Sequence, residues 1–345
     1  MAGRDPLVVV THWVHPEVVD RLRGFSRPVA PSWDEGVWDR EMVGRHREAR
    51  GLMVCMADRV DEELLARFPR LLVVAGVLKG SDNIDVAACA RRGVWVTVLD
   101  DLLTAPTAEL VVGLMVAVMR RVREGDELVR SGGFRGWRPY LYGRGLAGAA
   151  VGLVGKGRLG QAVAQRVQAF DARVVYCDPR TDARAVTPVT PGTPAPERVA
   201  LDELLAVSDV VVPLVPLTPD THHLLDGEAL AALRPGTFVV NAGRGSVVDE
   251  DAVAAALEDG RLGGYAADVF AFEDWSAPSR PRHIPPRLLA HPATVFTPHL
   301  GSAVDDVRRG MGLAAAEQVR QALAGRRPDG AVNSVTMAAP GTTRE

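Results

Sequence analysis

The sequence predicts an α/β fold with two parallel β-sheets, each covered by helices on both faces. Three observations support this fold class. Short apolar runs typical of buried strands alternate with amphipathic helical patterns along most of the chain. The length of 345 residues exceeds that of one ordinary domain and favours two. A glycine-rich turn of the form G-x-G-x-x-G also follows one strand pattern and precedes one helical pattern.

The first hundred residues contain four strand patterns and three helical patterns, without a glycine turn of this kind. Each strand pattern is a short β-branched run bounded by turn residues, as expected of buried strands. We therefore interpret this region as a flavodoxin-like α/β domain that presents groups to a substrate. The predicted strands are Leu7–Thr11, Gly51–Met56, Leu71–Val77 and Val94–Leu99, and the predicted helices are Pro16–Leu22, Asp61–Phe68 and Ile84–Arg92.

One long, mostly helical stretch is predicted from Asp101 to Gly132. Its apolar face over 110–118 gives way to a basic one at Arg120 and Arg121, and an aromatic loop follows over 137–142. Long helices of this kind often link domains or pack against a partner chain. The pattern therefore favours a homodimer.

The segment from Gly148 to Arg180 carries the pattern strand, tight turn, helix, strand and acid of a Rossmann-type dinucleotide site. Gly155 permits a turn that a side chain would block. Gly157 lets a pyrophosphate approach the backbone, and Gly160 lets the helix pack closely on the strand. The pyrophosphate then meets N–H groups at the positive end of the helix.

Charged residues around this turn indicate which dinucleotide binds. Asp178 ends the second strand about 20 residues beyond the glycines, where a carboxylate accepts hydrogen bonds from ribose hydroxyls and repels a 2′-phosphate. NAD is therefore expected rather than NADP. Lys156 and Arg158 add positive charge near the pyrophosphate, whereas Arg180 is placed to accommodate NADP in part.

The alternation of strands and helices continues to the end of the second domain. A proline-rich surface loop is expected over 179–198, and a mobile polar tail from Pro328 onward. The predicted domains are an NAD-binding domain of residues 103–302 and a discontinuous substrate domain of residues 1–102 plus 303–345. The cleft between them is the expected active site. The remaining predicted strands are 209–216, 238–241, 264–270 and 294–297, and the remaining helices are 201–205, 227–233, 249–258 and 303–323.

Bulk composition argues against several classes of partner. A net charge of −3 gives no long-range attraction to nucleic acid or to a membrane surface, and the longest apolar run, Leu110–Met119, is too short to span a bilayer. Cys55, Cys89 and Cys177 are far apart without metal-ligand spacing, so we expect no metal and a reduced compartment. The N-terminus lacks a signal-peptide core, which favours a cytoplasmic protein.

Four polar residues lie just beyond the ends of predicted strands, where open α/β sheets bind ligands. Arg244 can clamp an anion with two parallel hydrogen bonds, and His299 can exchange a proton near neutral pH. Glu273 can hydrogen-bond the far imidazole nitrogen and orient the ring. Lys79, in the first domain, is a candidate second anion ligand. Taken singly, these residues also fit ordinary roles, such as a strand-end cap, a solvated acid or an exposed lysine.

Five short motifs follow one another along the chain. They are Lys79-Gly80, the glycine turn with Asp178, Arg244-Gly-Ser-Val-Val-Asp, Asp268-Val-Phe-x-x-Glu and Thr297-Pro-His-x-Gly. In this order they resemble the D-2-hydroxyacid dehydrogenases over nearly the whole chain. That family usually has small residues and glycine where this chain has Leu78 and Lys79, which makes the lysine the discriminating residue. The stretches 56–61, 78–83, 101–110, 136–139, 264–270, 273–275 and 289–292 look closer to the phosphite-oxidising branch of the family.

The resemblance implies NAD-dependent oxidation of phosphite to phosphate by a homodimer. The hydride would pass from the P–H bond to the nicotinamide, and a water activated by His299 and Glu273 would attack phosphorus. An arginine as the base is the open alternative. The implied catalytic residues are Lys79, Arg244, Glu273 and His299. The implied substrate-site residues are Lys79, Gly80, Met56, Trp137, Tyr142, Arg244, Ser302 and Arg308, the last as a residue able to reach a partner subunit. The implied cofactor contacts are Thr104, Gly155, Lys156, Gly157, Arg158, Leu159, Gly160, Asp178, Leu214, Val215, Pro216, Ala242, Gly243, Arg244, Asp268 and His299.

Two other functions stay open at this point. In a dehydrogenase of a small 2-hydroxy acid, His299 would take its proton from the substrate hydroxyl. In a non-catalytic NAD-sensing protein no such step occurs, and the intact arginine, glutamate and histidine set argues against it. The chain also departs from the family pattern, because Lys156 and Arg158 stand where apolar residues are usual and the 179–198 loop is rich in proline.

Overall fold

The computed structural model describes residues 5–180, 194–275 and 279–335, which form two compact units. The first unit comprises Met1–Leu102 together with Val304–Glu345, and the second comprises Leu103–Ala303. Most of the predicted proline-rich loop, residues 181–193, lies outside the described residues, as does the chain beyond residue 335. Each unit is built on one parallel sheet, which confirms the predicted fold class.

The first unit contains a five-stranded sheet with helices packed on it. Its strands are β1 (Leu7–Val10), β2 (Arg27–Val29), β3 (Gly51–Val54), β4 (Val73–Gly76) and β5 (Trp95–Thr97), and its helices are α1 (Pro16–Arg23), α2 (Arg40–Gly44), α3 (Glu62–Ala66), α4 (Val86–Arg91) and α12 (Asp305–Leu323). The strand order β2-β1-β3-β4-β5 is flavodoxin-like. Strands β1, β3 and β4 are buried at every position, since both faces of a parallel sheet are covered.

The second unit contains a seven-stranded sheet. Its strands are β6 (Ala150–Val154), β7 (Arg173–Cys177), β8 (Glu197–Arg198), β9 (Val210–Pro213), β10 (Thr237–Asn241), β11 (Leu262–Ala267) and β12 (Thr294–Phe296), and its helices are α5 (Thr104–Met119), α6 (Val122–Arg130), α7 (Arg158–Gln168), α8 (Leu201–Val207), α9 (Gly227–Ala231), α10 (Glu250–Glu258) and α11 (Pro286–Ala290). The strand order is β12-β11-β10-β9-β6-β7-β8. The winding reverses between β6 and β9, and open α/β sheets bind ligands beyond the carboxyl ends of such strands.

The stretch over 101–132 is mostly helical as predicted, but it is divided into the two helices α5 and α6. Arg121 lies between them with φ of 52°, a left-handed conformation that interrupts the helical hydrogen bonds. Helix α5 packs into the core of the second unit through Val111, Leu114 and Met115, whereas no residue of α6 is buried. No helix among the described residues has the length and apolar character to cross a membrane.

The segment that follows α12 also differs from its prediction as a mobile tail. Ala331 forms an antiparallel bridge with Thr97 of β5. The N–H of Val98 donates to the carbonyl of Gly330 at 3.1 Å, and that of Val332 donates to Val96 at 2.9 Å. The described end of the chain is therefore paired with the edge of the first sheet.

Candidate active site

The glycine turn after β6 is shaped by close approaches that exclude side chains. Gly155 has φ of +99°, and a Cβ there would lie 3.0 Å from Cγ1 of Val215. A Cβ on Gly160 would lie 2.4 Å from the carbonyl oxygen of Gly155. Among the described residues, a Cβ on Gly157 would meet only the Arg180 guanidinium, at 3.6 Å, which leaves room for a pyrophosphate on this side of the turn. Gly157 is the N-cap residue of α7 and has no side chain that could accept hydrogen bonds from the first N–H groups of the helix. A pyrophosphate can therefore accept them.

The acid after β7 is held in place by the same turn. Asp178 is 3% exposed, and its Oδ2 accepts a hydrogen bond from the N–H of Lys156 at 2.8 Å. Arg180 donates to both carboxylate oxygens, at 3.1 and 3.0 Å. The Arg180 guanidinium is the main reason that the pKa of Asp178 is lowered to about 2. An ionised carboxylate beside an open glycine turn fits the adenosine ribose of NAD.

Lys156 packs against β7. The residue is 3% exposed, and its ammonium group lies 3.9 Å from the centre of the Tyr176 ring. A cation over an aromatic face is stabilised by the ring quadrupole. Its backbone N–H supports the turn by donating to Asp178, and its role as a positive charge near the pyrophosphate stays a prediction.

His299 and Glu273 form a hydrogen-bonded pair. Nδ1 of His299 lies 2.8 Å from Oε2 of Glu273. The other oxygen of Glu273 accepts the N–H of Phe270 at 2.9 Å, which orients the carboxylate at the end of the 3₁₀ turn Ala271–Glu273. Since Nδ1 is engaged, Nε2 is the nitrogen left to meet a substrate. About a third of each side chain is exposed, so both can be reached from solvent.

Asp268 supports the loop that carries His299. It is 1% exposed, and its oxygens accept the hydroxyl of Thr297 at 2.6 Å and the N–H groups of Leu300 and Gly301 at 2.7 and 2.9 Å. Burial raises the pKa of Asp268. These bonds give Asp268 a structural role that its motif alone did not indicate, and its contact with the cofactor stays a prediction.

The loop that carries Arg244 packs directly on the turn that carries Glu273. A Cβ on Gly245 would lie 1.9 Å from the carbonyl carbon of Phe270, so only glycine fits between the two segments. The N–H of Ser246 donates to Asp274 at 2.6 Å. The side chain of Asn241 closes the loop by donating to the carbonyl of Arg244 at 3.0 Å. The fold therefore brings the Arg244 loop, Glu273 and His299 into one cluster at the carboxyl ends of β10, β11 and β12.

The other predicted residues of the second unit fall into two groups. Trp137 and Tyr142 lie on the aromatic loop with side chains 84% and 76% exposed. Most of the rest follow strand ends or begin helices, the positions at which open α/β sheets bind ligands. These are Thr104 at the start of α5, Arg158 and Leu159 in the first turn of α7, Leu214, Val215 and Pro216 after β9, Ala242 and Gly243 after β10, and Ser302.

In the first unit, predicted substrate residues lie beyond the carboxyl ends of adjacent strands. Met56 follows β3, and Lys79 and Gly80 follow β4, which pairs with β3 in parallel. Lys79 is half-buried, whereas Arg308, in the first turns of α12, is exposed. Because parallel strands end at one edge of the sheet, Met56 and Lys79 share that edge.

The same edge holds a polar cluster that the sequence did not predict. In this cluster, one ligand atom each of His12, Cys55 and Asp58 lies within 4.8 Å of the others. The spacing of the cysteines along the chain did not indicate it. Burial, then the charge of Arg308, lowers the pKa of His12 to about 3, and burial raises the pKa of Cys55 to about 12. A nearby arginine opposes a bound cation, so we interpret the cluster as support for the loop that begins at Met56.

Comparisons with known proteins agree with this geometry. Residues 112–301 match the model of the NAD-binding domain of the D-isomer specific 2-hydroxyacid dehydrogenases. The chain belongs to this family. It is 36% identical over 297 residues to a glyoxylate reductase of Thermofilum pendens, covering 85% of this chain and 84% of the relative. It is 35% identical over 342 residues to a glyoxylate reductase of Aeropyrum pernix, covering 96% of both.

Solved structures show the same fold. A Thermus thermophilus protein is 37% identical with a TM-score of 0.81, over 95% of this chain and all of that one. An NADPH-dependent glyoxylate/hydroxypyruvate reductase of Sinorhizobium meliloti is 28% identical with a TM-score of 0.79, over 95% and 97% of the two chains. The protein is thus an NAD-dependent 2-hydroxyacid dehydrogenase, which confirms the predicted family and cofactor. The comparisons do not show the predicted oxidation of phosphite, and the 2-hydroxyacid alternative fits them better.

Proposed function

We propose that the enzyme interconverts a small 2-keto acid of the glyoxylate or hydroxypyruvate type and its 2-hydroxy acid. The observation that carries this proposal is the 2.8 Å pair of His299 and Glu273, held beside the Arg244 loop in the NAD-binding unit. The names of the relatives support the substrate class, because several of them are glyoxylate reductases.

Each member of the cluster has a distinct role in the proposed reaction. The bound nicotinamide supplies or accepts the hydride at the substrate carbon. Arg244 holds the substrate carboxylate with its planar guanidinium. His299 donates a proton from Nε2 to the carbonyl oxygen during reduction and takes it back from the hydroxyl during oxidation. Glu273 fixes the ring and stabilises its protonated form.

Lys79 favours a second candidate function, the oxidation of phosphite. A lysine after β4 adds a fixed positive charge at the carboxyl edge of the first sheet, which suits a substrate dianion better than a monocarboxylate. Several stretches of sequence, such as 264–270 and 273–275, support the same candidate. In that reaction a water would add its oxygen to phosphorus as the hydride leaves, and His299 would accept the proton of the water.

One set of initial-rate measurements separates the two candidates. The purified chain is mixed with NADH and glyoxylate or hydroxypyruvate, and separately with NAD and phosphite, and the absorbance of reduced nicotinamide is followed. We expect NADH to be consumed with the keto acids at a kcat/KM well above that for phosphite. Rapid NADH formation from phosphite without keto-acid reduction would select the second candidate, and turnover with neither would refute both.

Lys79→Ala adds a second criterion. Loss of the ammonium group should raise the KM for phosphite sharply if that anion is the substrate, while Arg70→Ala, at an exposed arginine of the same unit, should leave it unchanged. A KM for phosphite equal to that of the unchanged chain would remove Lys79 from the substrate site.

We also propose that the first unit binds substrate and that the enzyme acts as a homodimer. Support for the dimer comes from exposed apolar side chains on α6 and the following loop, which a partner chain would cover. They are Val122, Val129, Phe134, Trp137, Tyr140 and Tyr142. Light scattering of the purified chain would measure its mass, and a monomer at micromolar concentration would contradict the proposal.

A further inference from the structure

Glu250 is a buried carboxyl group beneath the turn that carries Glu273. An acid in the first turn of a helix is ordinarily exposed and interacts with the helix dipole, but Glu250 is only 5% exposed. Its Oε1 accepts the backbone N–H of Ala271 at 2.8 Å. Its Oε2 is buried and finds no hydrogen-bond partner in the part of the chain that the structure describes.

A short series of contacts connects Glu250 to His299. Ala271 begins the 3₁₀ turn Ala271–Glu273, and Glu273 ends it. Glu273 then accepts the N–H of Phe270 at 2.9 Å through one oxygen and meets Nδ1 of His299 at 2.8 Å through the other. Glu250 therefore anchors the turn two residues from the carboxylate that orients the imidazole.

The ionisable groups that face Glu250 oppose its negative charge. Asp251 adjoins it on α10, Asp274 and Glu273 belong to the turn, and Tyr265 is buried on β11. Burial, followed by repulsion from the three carboxylates, raises the pKa of Glu250 to about 7. A carboxyl group with a raised pKa in the folded state binds its proton more tightly there than in the unfolded chain. Its contribution to the free energy of unfolding is therefore fully present below pH 4.5, the ordinary pKa, and is lost as the pH rises to about 7.

A glutamine at this position would accept the same N–H without an ionisation cost. A buried carboxyl group whose second oxygen has no partner among the described residues, directly beneath the turn that orients the imidazole, indicates a role in the site as well as in the fold. We propose that Glu250 is a positioning residue: it holds the Glu273 turn through Ala271 and so fixes the carboxylate that orients His299 for proton transfer. This inference rests on the proposed keto-acid reduction.

Thermal unfolding of the chain without substrate tests the buried charge. Glu250→Gln should raise the Tm at pH 8 by about 2–4 °C and leave it nearly unchanged at pH 5. Glu250→Ala should lower the Tm at both values, because the Ala271 N–H loses its partner. Glu228→Gln, at an exposed glutamate in the first turn of α9, is the matched control and should change little. A Glu250→Gln variant that is less stable at pH 8 would overturn the proposal.

Steady-state kinetics of glyoxylate reduction tests the role in catalysis. Glu250→Ala should lower kcat by about tenfold, because the Glu273 turn loses its anchor, while Glu250→Gln, which keeps an acceptor for the Ala271 N–H, should keep kcat within about twofold. The KM for glyoxylate should change less than kcat. A Glu250→Ala variant with an unchanged kcat, or a Glu250→Gln variant with the same loss as Glu250→Ala, would refute the positioning role. A wild-type chain without turnover would instead refute the proposed function, and the pH dependence of the Tm would then decide the case for Glu250 by itself.

Discussion

His299 has a backbone φ of 56°, a left-handed conformation that histidine tolerates better than most residues. Its N–H donates to the carbonyls of Asp268 and Thr297 at 2.9 and 3.1 Å, and its ring is held by Glu273. Both the main chain and the side chain of the histidine are therefore fixed. A fixed imidazole with one nitrogen engaged is the arrangement that proton transfer requires.

His299→Asn should lower kcat by about 10²-fold or more, because the variant has no group that exchanges a proton near neutral pH. Glu273→Gln should lower kcat by about 10²–10⁴-fold, since an amide neither stabilises the imidazolium nor fixes the required tautomer. Steady-state kinetics with glyoxylate measures both, and His283→Asn, at an exposed histidine, is the control. A His299→Asn variant with normal kcat would exclude the assigned proton transfer.

Asp178 and Arg180 are predicted to set the choice between the two nicotinamide cofactors. Asp178→Ala should reduce the preference for NADH over NADPH at least about tenfold, because the repelling carboxylate is lost and the guanidinium that it holds can meet a 2′-phosphate. The ratio of kcat/KM values for the two cofactors measures the change. The Asp178→Ala variant should have a higher kcat/KM with NADPH, and adding Arg180→Ala should remove this increase. An increase that persists in the double variant would show that the arginine is not responsible.

At the scale of elements, the site depends on contacts between loops that follow neighbouring strands. The Arg244 loop after β10 and the Glu273 turn after β11 meet at Gly245, and the hydroxyl of Thr107 on α5 donates to the carbonyl of Gly301 at 3.0 Å. The sheet therefore positions the active-site groups through backbone packing.

Gly245→Ala should separate the two loops, because the added methyl group would overlap the backbone of Phe270 and Ala271. We expect a loss of stability of about 1–3 kcal/mol and a fall of at least tenfold in kcat/KM. Gly125→Ala is a suitable control, since a Cβ on this helical glycine meets nothing within 4 Å. Equal activity of the two variants would show that the loops are not coupled through Gly245.

At the scale of the whole molecule, the chain leaves the first unit, builds the second and returns. The returning segment adds helix α12 to the first unit and then pairs with β5, the edge strand of its sheet, through Ala331 and Thr97. Asn333 contributes to that pairing, because its side chain accepts the N–H of Val96 at 2.9 Å and donates to the carbonyl of Val94 at 2.8 Å. The first unit is therefore built from the segments before and after the second unit.

Asn333→Ala should destabilise the first unit by about 1–3 kcal/mol, because two backbone groups of β5 and its flank lose their partners. Hydrogen exchange of the amides over 94–98 would measure this effect directly. Val332→Ala, at a side chain that is 45% exposed, is the control. Unchanged protection of these amides in Asn333→Ala would contradict the proposed role of the pairing.

The sequence by itself determined the α/β class, the glycine turn with Asp178, the cofactor and the family, because each depends on a short pattern or on motifs in a fixed order. Only the tertiary structure decided the break at Arg121, the packing of Lys156 on Tyr176, the pairing of the chain end with β5 and the burial of Glu250. It also brought His12, Cys55 and Asp58 together. The physical reason is that burial and hydrogen-bond partners depend on residues that are distant in sequence, and local composition does not record them.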